Sequence, residues 1–326
     1  MAIDALGIQW RRARRIIFQS AQKNIKKIPV LNVLADNIKG IFLVSLYFLN
    51  TLVWFSLILP LGLLKIAIPN KKFRNILSSI LKAMAGCWVG FNSFTTRVVN
   101  KVEWDVVGLD NLKQDQWYLV LSNHQSWTDI LVLQTIFHKK IPFLKFFLKK
   151  ELIWVPLLGL AWWALDFPFM KRYSKTFLKK YPHLAGKDLE TTKKACLKFK
   201  DNPVSIMNFV EGTRFTDEKH IKQNSPHSHL LKPKAGGVAF VLGAMGDQLD
   251  SILNVTISYP HKKKSFWDFM CGRVDLIRVR VEILPITENL TGDYFFDKEY
   301  SAYFRNWLNN LWDKKNNILM NMEQDS

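Results

Sequence analysis

Two side chains five residues apart, His124 and Asp129 in the segment Asn123-His124-Gln125-Ser126-Trp127-Thr128-Asp129, are suited to proton transfer. An imidazole titrates near neutrality and can take a proton from a substrate hydroxyl. A carboxylate within reach of its other nitrogen fixes the tautomer and stabilises the charge that develops. Taken alone, the pair reads equally well as a surface histidine beside a helix-start carboxylate. A second cluster, Glu211-Gly212-Thr213-Arg214, adds a glycine that lets the backbone approach a ligand and an arginine that can grip a phosphate. Paired cations, Lys149-Lys150 and Lys171-Arg172, each adjoin apolar runs, and the second pair also suits a membrane interface, where such side chains snorkel.

These residues need elements that bring them together. His124 follows an apolar run expected to form a strand at 117–122. A helix is expected from Trp127, with Ser126 as its N-cap and Asp129 in its first turn, close to a capping box. Glu211 follows a second expected strand at 204–210. A helix near 236–245 and strands at 253–259 and 274–284 complete an alternation that predicts an α/β domain, a mixed sheet flanked by helices. The polar stretch 217–232, with His220, His227 and His229, reads as a loop. No cysteine or carboxylate stands at ligand spacing from those histidines, so no metal site is expected. From Asn309 the chain is polar and is expected to fray. The expected organisation is a membrane-anchoring region at 1–96, an α/β domain at 97–308 and a polar tail at 309–326.

Residues 40–64 carry no charged side chain, enough to cross a hydrocarbon core of about 30 Å as a helix. With 39 residues ahead of it and no small-residue cleavage site behind it, it is not expected to be a cleaved signal peptide. Arg11, Arg12, Arg14 and Arg15 precede it and Lys65, Lys71, Lys72 and Arg74 follow, so flanking charge gives no orientation. Pro60 and Gly62 could break the segment into a hairpin, with an amphipathic stretch at 73–94 as its other arm. A span and a membrane-embedded hairpin both fit.

Lys and Arg outnumber Asp and Glu by 46 to 27 in 326 residues, giving +19. Such an excess suits anionic lipid, coenzyme phosphates or an acidic carrier protein. No nucleic-acid motif accompanies it. Three widely spaced cysteines, Cys87, Cys196 and Cys271, form no ligand pattern and suggest reduced thiols.

The spacing of His124 and Asp129, with EGTR downstream, resembles the glycerolipid acyltransferase family, in particular its lysophosphatidate and lysocardiolipin acyltransferase branch. Between and after them KKELIWVPLLG, FPFMKR, KPKAGG and NVTISYP fall in the family's order, so the resemblance covers about 123–260. It implies transfer of a fatty acyl group from acyl-CoA or acyl carrier protein, as co-substrate with no cofactor, to 1-acylglycerol-3-phosphate. Acceptors such as lysophosphatidylglycerol or lysocardiolipin, and thioester hydrolysis, are the alternatives. His124 would be the base and Asp129 its orienting partner. Arg214, Arg172, Lys171 and Lys149 or Lys150 would hold phosphate, with Glu211, Gly212 and Thr213 shaping a glycerol pocket. Partners would be a lysophospholipid, the acyl donor and membrane lipid, and the setting a bacterial inner membrane with the catalytic domain on its cytoplasmic face.

Overall fold

The computed structural model describes residues 29–155, 158–170, 190, 193, 196–200, 202–261 and 264–324. The basic stretch before residue 29, Lys171 and Arg172 therefore lie outside the described residues.

Helix α1 spans Pro29–Ala67 and passes through Pro60 unbroken. It ends before Pro69, whose ring disfavours helical geometry in the preceding residue. Asn70 then caps α2 (Lys71–Val99), its side chain accepting from the Phe73 N–H at 3.1 Å. The two helices pair side by side, and the reversal between them falls at residues 68–70, not at Pro60 and Gly62. A Pro inside a helix loses one hydrogen bond yet is tolerated where neighbouring packing holds the helix. Between the arms, Asn50 Nδ2 donates to Asn92 Oδ1 at 2.8 Å and the Tyr47 hydroxyl donates to the Asn92 carbonyl at 3.0 Å.

The α/β part starts with β1 (Glu103–Val107) and β2 (Tyr118–Ser122), followed by α3 (Thr128–Phe137), β3 (Leu144–Phe146) and β4 (Leu148–Lys149). A 3-10 turn at Lys150–Trp154 leads to α4 (Leu158–Ala164) and β5 (Phe169–Met170). Then come β6 (Ser205–Phe209), α5 (Asp217–Gln223), α6 (Ala235–Met245), β7 (Ser251–Ser258), α7 (Phe266–Met270), β8 (Leu276–Pro285) and α8 (Lys298–Gln324). Six strands form one sheet in the order β1-β8-β7-β2-β6-β3, and β4 pairs with β5 in a separate two-stranded ribbon. Strands β3, β6, β2 and β7 run parallel; β8 runs antiparallel to β7 and parallel to β1, so the sheet is mixed as expected.

All five β2 residues are buried, as a central strand covered on both faces requires. Leu119 and Leu121 face α6 and α8, while Tyr118 and Val120 face α3 and Leu43 of α1. That alternation is the period of two of an extended chain.

Two expectations fail. The 217–232 stretch holds α5, which begins where the Thr216 hydroxyl accepts from the Lys219 N–H. The expected tail from Asn309 is instead the second half of α8, with Leu311, Trp312, Lys315, Leu319 and Met322 buried. Apolar residues at helical spacing, set among many polar ones, bury one stripe against the sheet.

Candidate active site

Strands β2, β6, β3 and β7 are parallel, so their carboxyl ends lie at one edge of the sheet, where ligands commonly bind in open α/β folds. His124 sits just past the end of β2, and Glu211 just past β6. His124 Nδ1 lies 2.8 Å from Asp129 Oδ2. Asp129 is fully buried and turns back across the start of α3, where Oδ2 also accepts from the backbone N–H groups of Gln125 (2.6 Å) and Ser126 (2.9 Å). This is the back-reaching half of the expected capping box; the Ser126 hydroxyl accepts from Thr128 N rather than from Asp129 N.

The tyrosine of NVTISYP supplies a contact that spacing alone did not assign. Tyr259 is buried and its hydroxyl donates to Asp129 Oδ1 at 2.7 Å. Burial, with the adjacent Asp129 charge, raises the phenol well above its ordinary range, so it stays a donor. The His124 ring stacks on Phe209 at 3.8 Å between centroids and 11° between planes. With Nδ1 engaged and one ring face covered, Nε2 is the nitrogen left for a substrate proton.

Asn123 fixes the strand end from which His124 projects. Its side-chain amide accepts from Ile257 N and donates to Ile257 O, both at 2.9 Å, extending the β2–β7 pairing by one side chain. Gln125 Nε2 reaches the same carbonyl at 3.2 Å. No other sequence signal marked Asn123 and Gln125 than their place beside His124.

Glu211 lies inward rather than lining an open glycerol pocket. It is 1% exposed; Oε1 lies 3.4 Å from His124 N and Oε2 3.4 Å from Leu231 N. Burial pushes its carboxyl up to about 8 against the pull of those donors. Among the described residues it makes no ion pair with Arg214. Gly212 has φ +66°, the left-handed region that glycine tolerates, and a Cβ there would meet Lys234 Cδ at 3.1 Å. Lys234 of KPKAGG therefore overhangs the EGTR turn, a placement its spacing did not reveal.

Thr213 accepts from Lys219 Nζ at 2.9 Å. Arg214 is exposed, with its guanidinium 4.7 Å from the Trp127 ring. Phe215 N donates to the His124 carbonyl at 2.7 Å, so Arg214 is held one residue from the His124 backbone. Lys264, absent from the expected site, donates to Gln125 Oε1 at 3.2 Å and lies over Phe215. Lys150 is exposed at the start of the 3-10 turn, and among the described residues nothing ties it to His124. Lys149 belongs to β4, paired with Met170 of β5; its side chain, like Lys171 and Arg172, lies outside the described residues. The three histidines of 217–232 are engaged separately: His220 Nε2 with the His227 carbonyl, His227 with Asp313, and His229 with Glu323.

A buried carboxylate behind a histidine at a strand end, with an arginine beside it, matches a known pattern. Residues 103–259 match the family model described as acyltransferase. Residues 103–259 thus form an acyltransferase-family domain. This chain is 25% identical over 310 residues to the probable 1-acyl-sn-glycerol-3-phosphate acyltransferase 5 of Arabidopsis thaliana, covering 91% of this chain and 75% of that one. It is 31% identical over 157 residues to the 1-acyl-sn-glycerol-3-phosphate acyltransferase of Pseudomonas aeruginosa, covering 48% and 51%. The chain thus spans three quarters of the first relative and about half of the second. A crystal structure of the 1-acyl-sn-glycerophosphate acyltransferase of Thermotoga maritima aligns with a TM-score of 0.48 at 16% identity, covering 88% of this chain and 97% of that one. The acyltransferase domain contains His124, Asp129, Glu211, Arg214 and Tyr259; α8 lies beyond the matched residues.

Proposed function

We propose that this acyltransferase moves a fatty acyl group from acyl-CoA or acyl carrier protein to the free hydroxyl of 1-acylglycerol-3-phosphate, giving phosphatidic acid. His124 Nε2 takes the hydroxyl proton as the oxygen attacks the thioester carbonyl. The tetrahedral adduct collapses, the C–S bond breaks, and the proton passes from the imidazolium to the departing thiolate. Asp129 holds the Nδ1–H tautomer and offsets the charge on the ring. Arg214 meets the acceptor's phosphate, with Lys149 or Lys150, Lys171 and Arg172 as its proposed partners. The observation that carries this reading is the 2.8 Å His124–Asp129 contact, with Asp129 anchored on three further donors.

The setting we propose is a bacterial inner membrane, with the domain on its cytoplasmic face. For membrane association itself the support is α1: the described residues include one helix long and apolar enough to cross a membrane, at 31–67.

The test is an assay of the purified protein with lysophosphatidate, lysophosphatidylglycerol and glycerol-3-phosphate, each against acyl-CoA and acyl carrier donors. Lysophosphatidate is expected to be the acceptor consumed fastest, and His124→Ala to lower kcat about a thousandfold or more. Release of free fatty acid without acyl transfer would instead make the protein a thioester hydrolase. Arg214→Ala is expected to raise KM for lysophosphatidate about 10- to 100-fold, the worth of one charged hydrogen bond of about 1.5–3 kcal/mol.

A further inference from the structure

Helix α8, outside the matched acyltransferase residues, carries a lysine with no exposed surface. Lys315 Nζ donates to the Val255 carbonyl and, at 3.2 Å, to Thr256 Oγ1, both on β7. The Trp312 ring lies 5.2 Å away on the same helix. Glu211, in the turn after β6, and Glu282, on β8, act on the ammonium through their charge alone, and among the described residues neither forms an ion pair with it. An ammonium taken out of water is costly to hold, and an apolar residue of similar volume often serves packing at least as well. A lysine here calls for a role beyond filling space.

Two routes lead from it to His124, one of hydrogen bonds and one of charge. The first is β7: Val255 and Thr256 directly precede Ile257, whose N–H and carbonyl take both hydrogen bonds of Asn123 and one from Gln125. Those two residues flank His124. The second is Glu211, whose carboxylate reaches His124 N and Leu231 N. Both Glu211 oxygens face N–H donors, a pattern that suits the ionised form, and a nearby cation favours that form. Burial opposes both charges, pushing Lys315 down to about 7 and Glu211 up to about 8, while their mutual attraction works the other way.

We infer that Lys315 is a positioning residue for the reaction: from α8 it pins the end of β7 that holds Asn123 and Gln125, and balances the buried Glu211 carboxylate that holds the His124 backbone. The inference rests on the acyl-transfer reading and extends the functional unit past the family-matched segment, to the C-terminal helix.

The experiment compares the full-length wild type with Lys315→Met, Glu211→Gln and the double variant, measuring kcat and KM for lysophosphatidate and for acyl-CoA. Lys315→Met should lower kcat about tenfold with both KM values within twofold. The double variant should lose less than the product of the two single losses, because part of the lysine's effect passes through that carboxylate. A lysine that serves packing alone would leave kcat of the folded variant within twofold of wild type, or make the two losses multiply; either outcome overturns the inference. If Lys315→Met does not fold, Thr256→Val keeps the lysine and removes one of its acceptors. It should lower kcat about threefold, and an unchanged kcat there overturns the inference as well. A wild type inactive on every acceptor takes down the acyl-transfer reading and this inference with it; an active wild type with an unaffected Lys315→Met takes down the inference alone.

Discussion

At the scale of single residues, Asp129 shows how a short motif is made into a rigid site. An ionised carboxylate offers about four acceptor positions. Asp129 meets four donors, with His124 Nδ1, Gln125 N and Ser126 N on Oδ2 and the Tyr259 hydroxyl on Oδ1. Asp129→Asn keeps the shape but sets an NH2 group against one of these donors and weakens the hold on the tautomer. A loss of about 10³–10⁴-fold in kcat is expected, by analogy with the serine-protease triad; steady-state kinetics on folded protein check it. Tyr259→Phe tests the outer contact. A hydrogen bond to a charged group is worth about 1.5–3 kcal/mol, but only the share that differs in the transition state reaches the rate. The expected effect is about tenfold in kcat with KM little changed. A Tyr259→Phe enzyme as fast as its parent would show that Asp129 is held well enough by its backbone donors.

At the scale of elements, α8 and the 227–229 loop are clasped by side chains that the polar composition of 309–326 concealed. The Ser228 hydroxyl and the His229 N–H both reach Asn316 Oδ1, and His227 lies 3.3 Å from Asp313. His227 is buried, and burial lowers its pKa below the ordinary value. A depressed folded-state pKa means the neutral ring is the form the fold favours. The stabilisation is therefore present above about pH 6.5, the unfolded value, and is lost as pH falls through the lower folded value. Thermal melts from pH 7.5 to 5 should show an acid-side loss of Tm that shrinks in His227→Gln; an identical slope in both proteins would refute it. Leu319→Ala, at a fully buried position of α8, should cost about 2–5 kcal/mol. A helix frayed from Asn309 would lose almost nothing, so chemical denaturation decides between them. Strands β2, β6, β7 and β8 and helix α6 were legible because an apolar run bounded by turn residues is a local signal; β1 and the two- and three-residue strands β3, β4 and β5 were not anticipated. The half of α8 beyond Asn309 was not, because its stripe of Leu311, Lys315, Leu319 and Met322 includes a lysine and is diluted by polar neighbours. Among the site residues, His124, Asp129, Glu211 and Arg214 could be read from spacing. Tyr259, Lys234 and Lys315 could not, since their contacts span chain separations that only the fold closes.

At the scale of the molecule, α1 meets the α/β domain along most of its length, which bears on how the protein sits in a membrane. Near its start, Asn37 accepts from Trp267 Nε1 and Arg273; midway, Leu43 enters the sheet's core; near its end, Lys65 pairs with Asp166. From Asn37 to Lys65 is about 42 Å of helix at 1.5 Å per residue, so the segment runs beside the domain instead of leaving it. Its other flank exposes Leu34, Ile38, Phe42, Leu49, Val53 and Leu57, an apolar face suited to lie in one leaflet with the +19 charge drawing the protein to anionic headgroups. Neighbours on this helix then have opposite duties. Phe42 is 55% exposed and Leu43 is 0% exposed. Phe42→Glu combined with Leu49→Glu should leave the melting temperature within a few degrees while lowering binding to phosphatidylglycerol-containing vesicles about tenfold or more. Leu43→Glu should instead destabilise the fold, because it buries an unpaired carboxylate. Were α1 a span surrounded by lipid, the two faces would respond alike, and vesicle flotation beside thermal melting of the three proteins separates the two arrangements.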